Sequence, residues 1–462
     1  METILNNILD QYYIDMQEDL SHLLTYDTTK DTPKDQAPFG QGIADALKFV
    51  LSKAKEWGFI SQNLNGYVGL IDFGQGEKQM GVLSHIDTVP VGDGWTVDPF
   101  GGQIINNKIY GRGAIDNKGP MIACLYASRA IKESGLPCRH SLRQILGTDE
   151  ESGFGCMNYF LQNCTPPDFG FTPDAQFPLI YGEKGIVHLE LTSDLYPLNG
   201  DIVIMNIEGG VGGNVIPDNA QAVLKVSEKG RQILHDFFEQ YPQKEDLLLF
   251  YEGLTCKIIA KGKTAHGSLP EKGRNAIVLL LDFLYQLPVK SSEDSFITNC
   301  YKLLARDLDG TALGAFAQDE YGKTSMAPTL IFTDKLKGSV HIDFRFPIKF
   351  KGQYFYDKIS EMAAKHDMKI SSWKCKEPLY VPPDQPFLQK ILSTYREMTG
   401  DMSEPMVIGG GTYARVFKNF VGYGPIFPHQ EQLSHQANEY ISTGDLLFLS
   451  KIYSQTIYNL IK

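Results

Sequence analysis

Ser84-His85-Ile86-Asp87-Thr88-Val89-Pro90 decides how this chain is read. It puts a histidine and an aspartate two residues apart at the end of an apolar run, Met80-Gly81-Val82-Leu83. Two acidic segments follow in order: Gly111-Arg112-Gly113-Ala114-Ile115-Asp116-Asn117-Lys118-Gly119, then Gly147-Thr148-Asp149-Glu150-Glu151-Ser152-Gly153. Singly, each has a duller reading. A His-x-Asp at a strand end is more often a hydrogen-bonded surface pair. Glu150-Glu151 reads as a solvated helix start, where acidic side chains favour the dipole, and Asp116 reads as an N-cap. Three such segments in order, each behind a β-like run, read as the ligand set of a two-metal hydrolase.

Working outward, the pattern from about Val68 to Ile180 alternates. Short apolar runs (Gly81–Ser84, Ser141–Leu146, Phe169–Thr172) end in polar turns, two of which lead into helix-like segments, Pro120–Glu133 and Gly155–Asn163. That alternation predicts an α/β unit with a mostly parallel central sheet and flanking helices. Residues 3 to 25 and 41 to 57 carry apolar positions at helical spacing. In open α/β sheets ligands collect at the carboxyl ends of strands, so distant segments can converge there.

Near Gly185 the pattern changes. Longer β-like runs appear at 187–191, 202–207, 222–226, 247–260, 330–332 and 339–346, with helices near 228–240, 275–287, 293–307 and 353–366. Strand, helix, strand recurs roughly twice, which predicts an inserted α+β domain of two ferredoxin-like halves. Lys376 to Pro386, with four prolines, reads as the return linker. The expected division is residues 1–184 and 384–462 for one domain and 185–383 for the insert.

Bulk properties bound the function. A chain of 462 residues exceeds one compact core. A formal net charge of −12 argues against nucleic acid or an anionic membrane as partner. The seven cysteines are scattered, without a C-x-x-C pair, as in a reduced, cytoplasmic protein. The first residues have no basic segment followed by a long apolar one, so no signal peptide is expected. No apolar run approaches a membrane span.

Two divalent ions need about six protein ligands of histidine and carboxylate type, one of them bridging. The reading assigns Asp116 as bridge, His85 and Asp174 to one ion, and Glu151 and His435 to the other. His429 competes with His435, because both flank the Gln430–Ser434 turn. Glu150 suits a general base that deprotonates a metal-bridging water and passes the proton to the leaving amine. Asp87 is expected to accept the second N–H of the His85 imidazole and fix its tautomer. A set of N and O donors without cysteine admits zinc first, with manganese or cobalt also compatible.

Ser84–Pro90, Gly111–Gly119, Thr148–Gly153 and Thr264–Gly267 together resemble the M20 family of dinuclear metallopeptidases, and the length and large insert are similar to its dipeptidase V branch. The resemblance implies the assignments above and adds residues in the insert. His266 matches a lid histidine that stabilises the tetrahedral oxyanion. Asn214 and Arg345 match lid residues that hold substrate. The Gly409-Gly410-Gly411-Thr412 loop matches one that meets the substrate carboxylate through backbone N–H groups, with Gly410, Gly411 and Thr412 as the contacts. It lacks the Gly-Lys-Ser/Thr ending of a nucleotide-binding loop. The family further implies a cis peptide between Asp116 and Asn117.

The expectation is therefore a cytoplasmic dipeptidase acting on free dipeptides. Shorter-lid relatives dimerise and borrow the lid histidine from the partner, whereas a doubled lid supplies its own, so a functional monomer is expected. An N-acyl amino-acid deacylase, such as a desuccinylase, would use the same site on an acylated substrate. A catalytically silent metal-bound or partner-binding protein is the third reading, disfavoured because base, bridge and lid residues are all present.

Overall fold

A computed structural model describes residues 2–195, 200–288 and 294–462. The chain divides into two compact units: Met1–Gly182 with Leu379–Lys462, and Glu183–Pro378. Each has its own apolar core.

In the first unit, α1 (Glu2–Gln11) and α2 (Tyr13–Leu24) replace the single helix expected over 3–25, with the break at Tyr12. Next come α3 (Gln41–Glu56), α4 (Lys118–Ser134) and α5 (Gly155–Asn163). The strands are β1 (Ile60–Leu64), β2 (Val68–Phe73), β3 (Gln79–His85), β4 (Ser141–Gly147), β5 (Phe169–Thr172) and β6 (Ile180–Glu183). Their order in the sheet is β1-β2-β4-β3-β5, then Phe420–Gly422, β6 and Leu379–Tyr380. The centre is parallel: β3 pairs with β4 and β5, and β5 with Phe420–Gly422. The flanks are antiparallel, β1 with β2, β2 with β4, and Phe420–Gly422 with β6.

The parallel centre explains the burial. β3 is buried from Met80 to His85, as a strand covered on both faces must be. α4 packs on β3 and on the C-terminal helix Thr443–Ile461. Because β3, β4 and β5 run the same way, His85, Gly147 and Thr172 end at one edge of the sheet.

The second unit is one eight-stranded sheet with helices. Its elements are β7 (Gly185–Asp194), β8 (Ile202–Gly209), β9 (Asn219–Val226), α6 (Glu228–Gln240), β10 (Leu247–Glu252), β11 (Thr255–Lys261) and α7 (Ala276–Gln286), then α8 (Asp294–Cys300), β12 (Ser325–Thr333), β13 (Lys337–Phe346), α9 (Gly352–Lys365) and β14 (Lys369–Lys376). Strand order is β10-β11-β9-β8-β12-β13-β7-β14. The elements β7-α8-β12-β13-α9-β14, in spatial order β12-β13-β7-β14, form a ferredoxin-like half. The other half, β8 through α7, is inserted between β7 and α8 of the first. The two are nested, not tandem. They join through a short antiparallel seam, Glu208↔Phe332 and Gly209↔Ile331.

The run expected over 247–260 is two strands. Gly253, at φ +55, makes the turn between them, a conformation that favours glycine. α6 and α7 start at side-chain caps: Ser227 Oγ accepts from Gly230 N, and Asn275 Oδ1 from Ile277 N and Val278 N. Of the helix expected over 293–307, residue 293 lies outside the described residues.

Candidate active site

The carboxyl ends of β3, β4 and β5 deliver the first residues of the site. His85 closes β3 and is fully buried. Glu150 and Glu151 follow β4, and Asp174 follows β5. Asp116 stands just ahead of α4, and its peptide bond to Asn117 is cis. His435 comes from a loop before the C-terminal helix, at φ +65.

Four of these side chains gather around a fifth, the carboxylate of Asp116. His85 Nε2 lies 3.1 Å from Asp116 Oδ1 and 3.7 Å from Asp174 Oδ2. His435 Nε2 lies 3.2 Å from Asp116 Oδ2 and 3.1 Å from Glu151 Oε1. The two oxygens of Asp116 thus face different histidines, as a bridging carboxylate must. Ligand atoms sharing one tetrahedral ion at 2.0–2.2 Å stand about 3.3 Å apart, so the spacing fits two divalent ions. The sets His85–Asp116–Asp174 and Asp116–Glu151–His435 each hold their ligand atoms within 4.8 Å of one another, as does His85–Glu150–Glu151. His429 appears in none of these sets.

Electrostatics show how strongly the site wants cations. Burial raises Glu150 well above the usual carboxylate range, and also raises Glu151, Asp174 and Asp87. Burial opposes charge on Asp116 too, but bonds to His435 and His85 outweigh it and hold that carboxyl low. Burial works against charge on His85; its contacts with Asp116 and Asp174 win and raise it. Bonds to Asp116 and Glu151 push His435 up to about 11.

Asp87 departs from expectation. Its carboxylate oxygen is 3.7 Å from His85 Nδ1, beyond hydrogen-bond range. The imidazole instead donates to the backbone carbonyl of Asp87 at 2.9 Å, which fixes a proton on Nδ1 and leaves Nε2 facing Asp116 and Asp174. The Asp87 carboxylate accepts from Glu150 N and Glu151 N, each at 3.0 Å. The aspartate therefore holds the backbone of the candidate base and of a ligand, because β4 ends beside the β3 turn.

Several residues around the candidate ligands carried no role in the sequence analysis. Glu439 Oε1 accepts from Ile115 N and Asp116 N at 2.9 and 3.1 Å, while its Oε2 accepts from Arg112 at 2.7 Å. Asn117 donates to Pro173 O and accepts from His85 N. Lys118, buried with its ammonium donating to Tyr26 O, is lowered by burial to about 7. Glu439 lies four residues past His435, and that spacing was the one available clue.

The remaining candidates are placed as follows. Thr412 Oγ1 accepts from Ala414 N and caps a short turn behind the Gly409–Gly411 loop. Tyr413 beside it is fully buried, its ring 6.1 Å from that of His85. In the second unit, Ala265–His266 pairs with Val215–Ile216. Ser268 N donates to His266 Nδ1, so the imidazole proton of neutral His266 sits on Nε2. Asn214 O accepts from Gly267 N at 2.7 Å. Arg345 is buried and forks onto Asp343, with Nε and Nη2 each at 2.6 Å from a carboxylate oxygen.

Among the described residues no helix is long and apolar enough to cross a membrane. Residues 81–459 match the model of peptidase family M20/M25/M40. The chain is 34% identical over 432 residues to the Bacillus subtilis protein named "Putative dipeptidase YtjP", covering 92% of each. It is 35% identical over 461 residues to a Staphylococcus epidermidis protein named "Putative dipeptidase", covering 97% of this chain and 98% of that one. Its fold is similar to that of human carnosine dipeptidase 1, with a TM-score of 0.57 at 14% identity over 99% of this chain and 98% of that one. A family model spanning most of the chain and relatives of this identity make it a hydrolase and a member of peptidase family M20/M25/M40.

Proposed function

We propose that this chain is a cytoplasmic, monomeric dipeptidase that hydrolyses the amide bond of unblocked dipeptides with two divalent ions, zinc first, and Glu150 as general base. The observation that carries it is Asp116, whose two oxygens face His85 and His435 with Glu150 and Glu151 alongside. The two relatives named as dipeptidases support the substrate class. Seven free cysteines support a reducing compartment. Two ferredoxin-like halves within one chain support the monomer.

The ions, when bound, polarise the scissile carbonyl and lower the pKa of water. The protein supplies the rest. His85 and Asp174 would hold one ion, Glu151 and His435 the other, with Asp116 shared. A Glu150 carboxylate oxygen takes a proton from the attacking water and returns it to the amine nitrogen as the C–N bond breaks. Asp87 holds Glu150 in place through its backbone N–H. His266, with its proton on Nε2, donates to the oxyanion. Asn214, Arg345 and the N–H groups of Gly410, Gly411 and Thr412 orient the substrate, the last three at its carboxylate. The acidic site attracts the free α-amine.

The test is a metal-reconstituted assay against an unblocked dipeptide, its N-acylated analogue and a tripeptide. Cleavage of the unblocked dipeptide alone is expected; preference for the acylated compound would make the protein a deacylase. Glu150→Gln should lose about 10²–10⁴ in kcat and keep its metal. Near-normal turnover in that variant would remove Glu150 from the base role.

A further inference from the structure

The ligands of the proposed site are not held equally. His85 is fully buried at a strand end, whereas the His435 side chain is 53% exposed on a loop. One buried ion pair grips that loop. Arg112, 1% exposed, donates from Nη1 to Glu439 Oε2 at 2.7 Å and to Gln436 O, beside His435, at 3.1 Å. Its Nη2 donates to Val91 O at 3.0 Å and Pro90 O at 3.5 Å, just past the His85–Asp87 turn. Its guanidinium lies over the Trp95 ring. Glu439, fully buried, spends its other oxygen on the amides of Ile115 and Asp116. Gly111 N donates to Glu439 O. A single pair therefore fixes the segment that carries the bridge against the loop that carries His435.

We infer that Arg112 and Glu439 are positioning residues that set the affinity of one metal position, that of Asp116, Glu151 and His435, over the other. This rests on the two-ion reading of the site. His85 ends β3 and Asp174 follows β5 by two residues, so neither depends on the loop that the pair holds. His435 has no strand behind it, and the pair sets where its loop lies relative to Asp116. Glu439 holds Asp116 through its backbone N–H and is in none of the candidate ligand groups. The planar fork of Arg112 reaches four acceptors in three directions, which a lysine ammonium cannot reproduce.

The experiment is a calorimetric titration of the metal-stripped full chain with Co²⁺, followed in parallel by visible absorption, with thermal unfolding of each stripped variant. The wild type is expected to bind two ions in two phases, and His435→Ala to lose one of them. Arg112→Lys is expected to weaken that same phase by about 10–100-fold, the range found for groups that support a ligand, and to weaken the other phase, which shares only Asp116 with it, much less. Glu439→Asp, which shortens the reach to the Ile115 and Asp116 amides, should do the same and serves if Arg112→Lys does not fold. Equal weakening of both phases, or no change in either, would overturn the inference and leave the pair a purely structural one. A single ion per wild-type chain would sink the two-ion reading itself, and is seen without any variant.

Discussion

Asp87 illustrates how one side chain can do a different job from the one its spacing implies. A carboxylate two residues past a ligand histidine reads as its hydrogen-bond partner, yet here the carboxylate caps two backbone N–H groups and the carbonyl takes the imidazole. Asp87→Ala would leave the Glu150 and Glu151 amides without their acceptors. Each orphaned buried group costs about 1–3 kcal/mol, and turnover should fall by about 10–100-fold. Asp87→Asn keeps one oxygen and should sit between; stopped-time assays with thermal melts of both variants check the order. A second prediction concerns protons. His435 is held up at about 11 in the ion-free protein, above its ordinary 6.5. A raised histidine stabilises the fold fully below 6.5, and that contribution fades as pH rises toward 11. Metal must displace the same proton, so metal affinity rises over that window. The gap in Tm between loaded and chelator-treated protein should therefore widen between pH 7 and 9, and calorimetry in buffers of different ionisation enthalpy should show proton release on loading. A gap that narrows with pH would contradict the assignment of His435. His85, Glu150, Glu151 and Asp174 stood out as candidates because such residues are uncommon at or just past the ends of apolar strands, whereas Asp116 and His435 lie off the strands and stood out by their order and by the family resemblance. Arg112 and Glu439 did not, since a buried ion pair leaves no periodic trace.

At the scale of elements, the ends of β3 and β4 are where fold becomes chemistry. His85 pairs with Gly147 in parallel register, and any Cβ at Gly147 would strike the Tyr413 hydroxyl. Gly147→Ala must displace Tyr413, whose ring lies 6.1 Å from that of His85, and overpacking of this kind costs about 1–3 kcal/mol. A lowered Tm together with weakened metal binding is the expected result; a variant as stable and as metal-tight as wild type would show that Tyr413 does not brace the histidine. The parallel strands could be read from the sequence as continuous apolar runs, because both faces are covered. The antiparallel edges could not, since Ile60–Leu64 is largely exposed and Leu379–Tyr380 is two residues long within a proline-rich segment. The long run at 247–260 hid a hairpin because the turn is only two residues, Gly253 and the apolar Leu254. Lys369–Lys376, exposed and lysine-rich, carried no strand signal at all.

At the scale of the whole chain, the nesting of one ferredoxin-like half within the other was beyond the sequence reading, which saw two similar patterns and no order between them. Nesting does make Glu183–Pro378 a continuous segment with its own core. Expressed alone, that segment should fold cooperatively, with native-like circular dichroism and a sharp melt that chelator does not shift. A broad, chelator-sensitive melt would contradict this. The other unit is discontinuous, and its central sheet takes Phe420–Gly422 from the far end of the chain. His435 and Glu439 lie beyond even that strand. On the ribosome, domains generally fold in the order they emerge, so the inserted segment is complete while the sheet around His85 still lacks a member. The cluster of Asp116, Glu151 and His435 cannot form until the stretch carrying His435 has left the exit tunnel. The candidate active site is thus assembled late in synthesis, after the inserted segment has had time to fold.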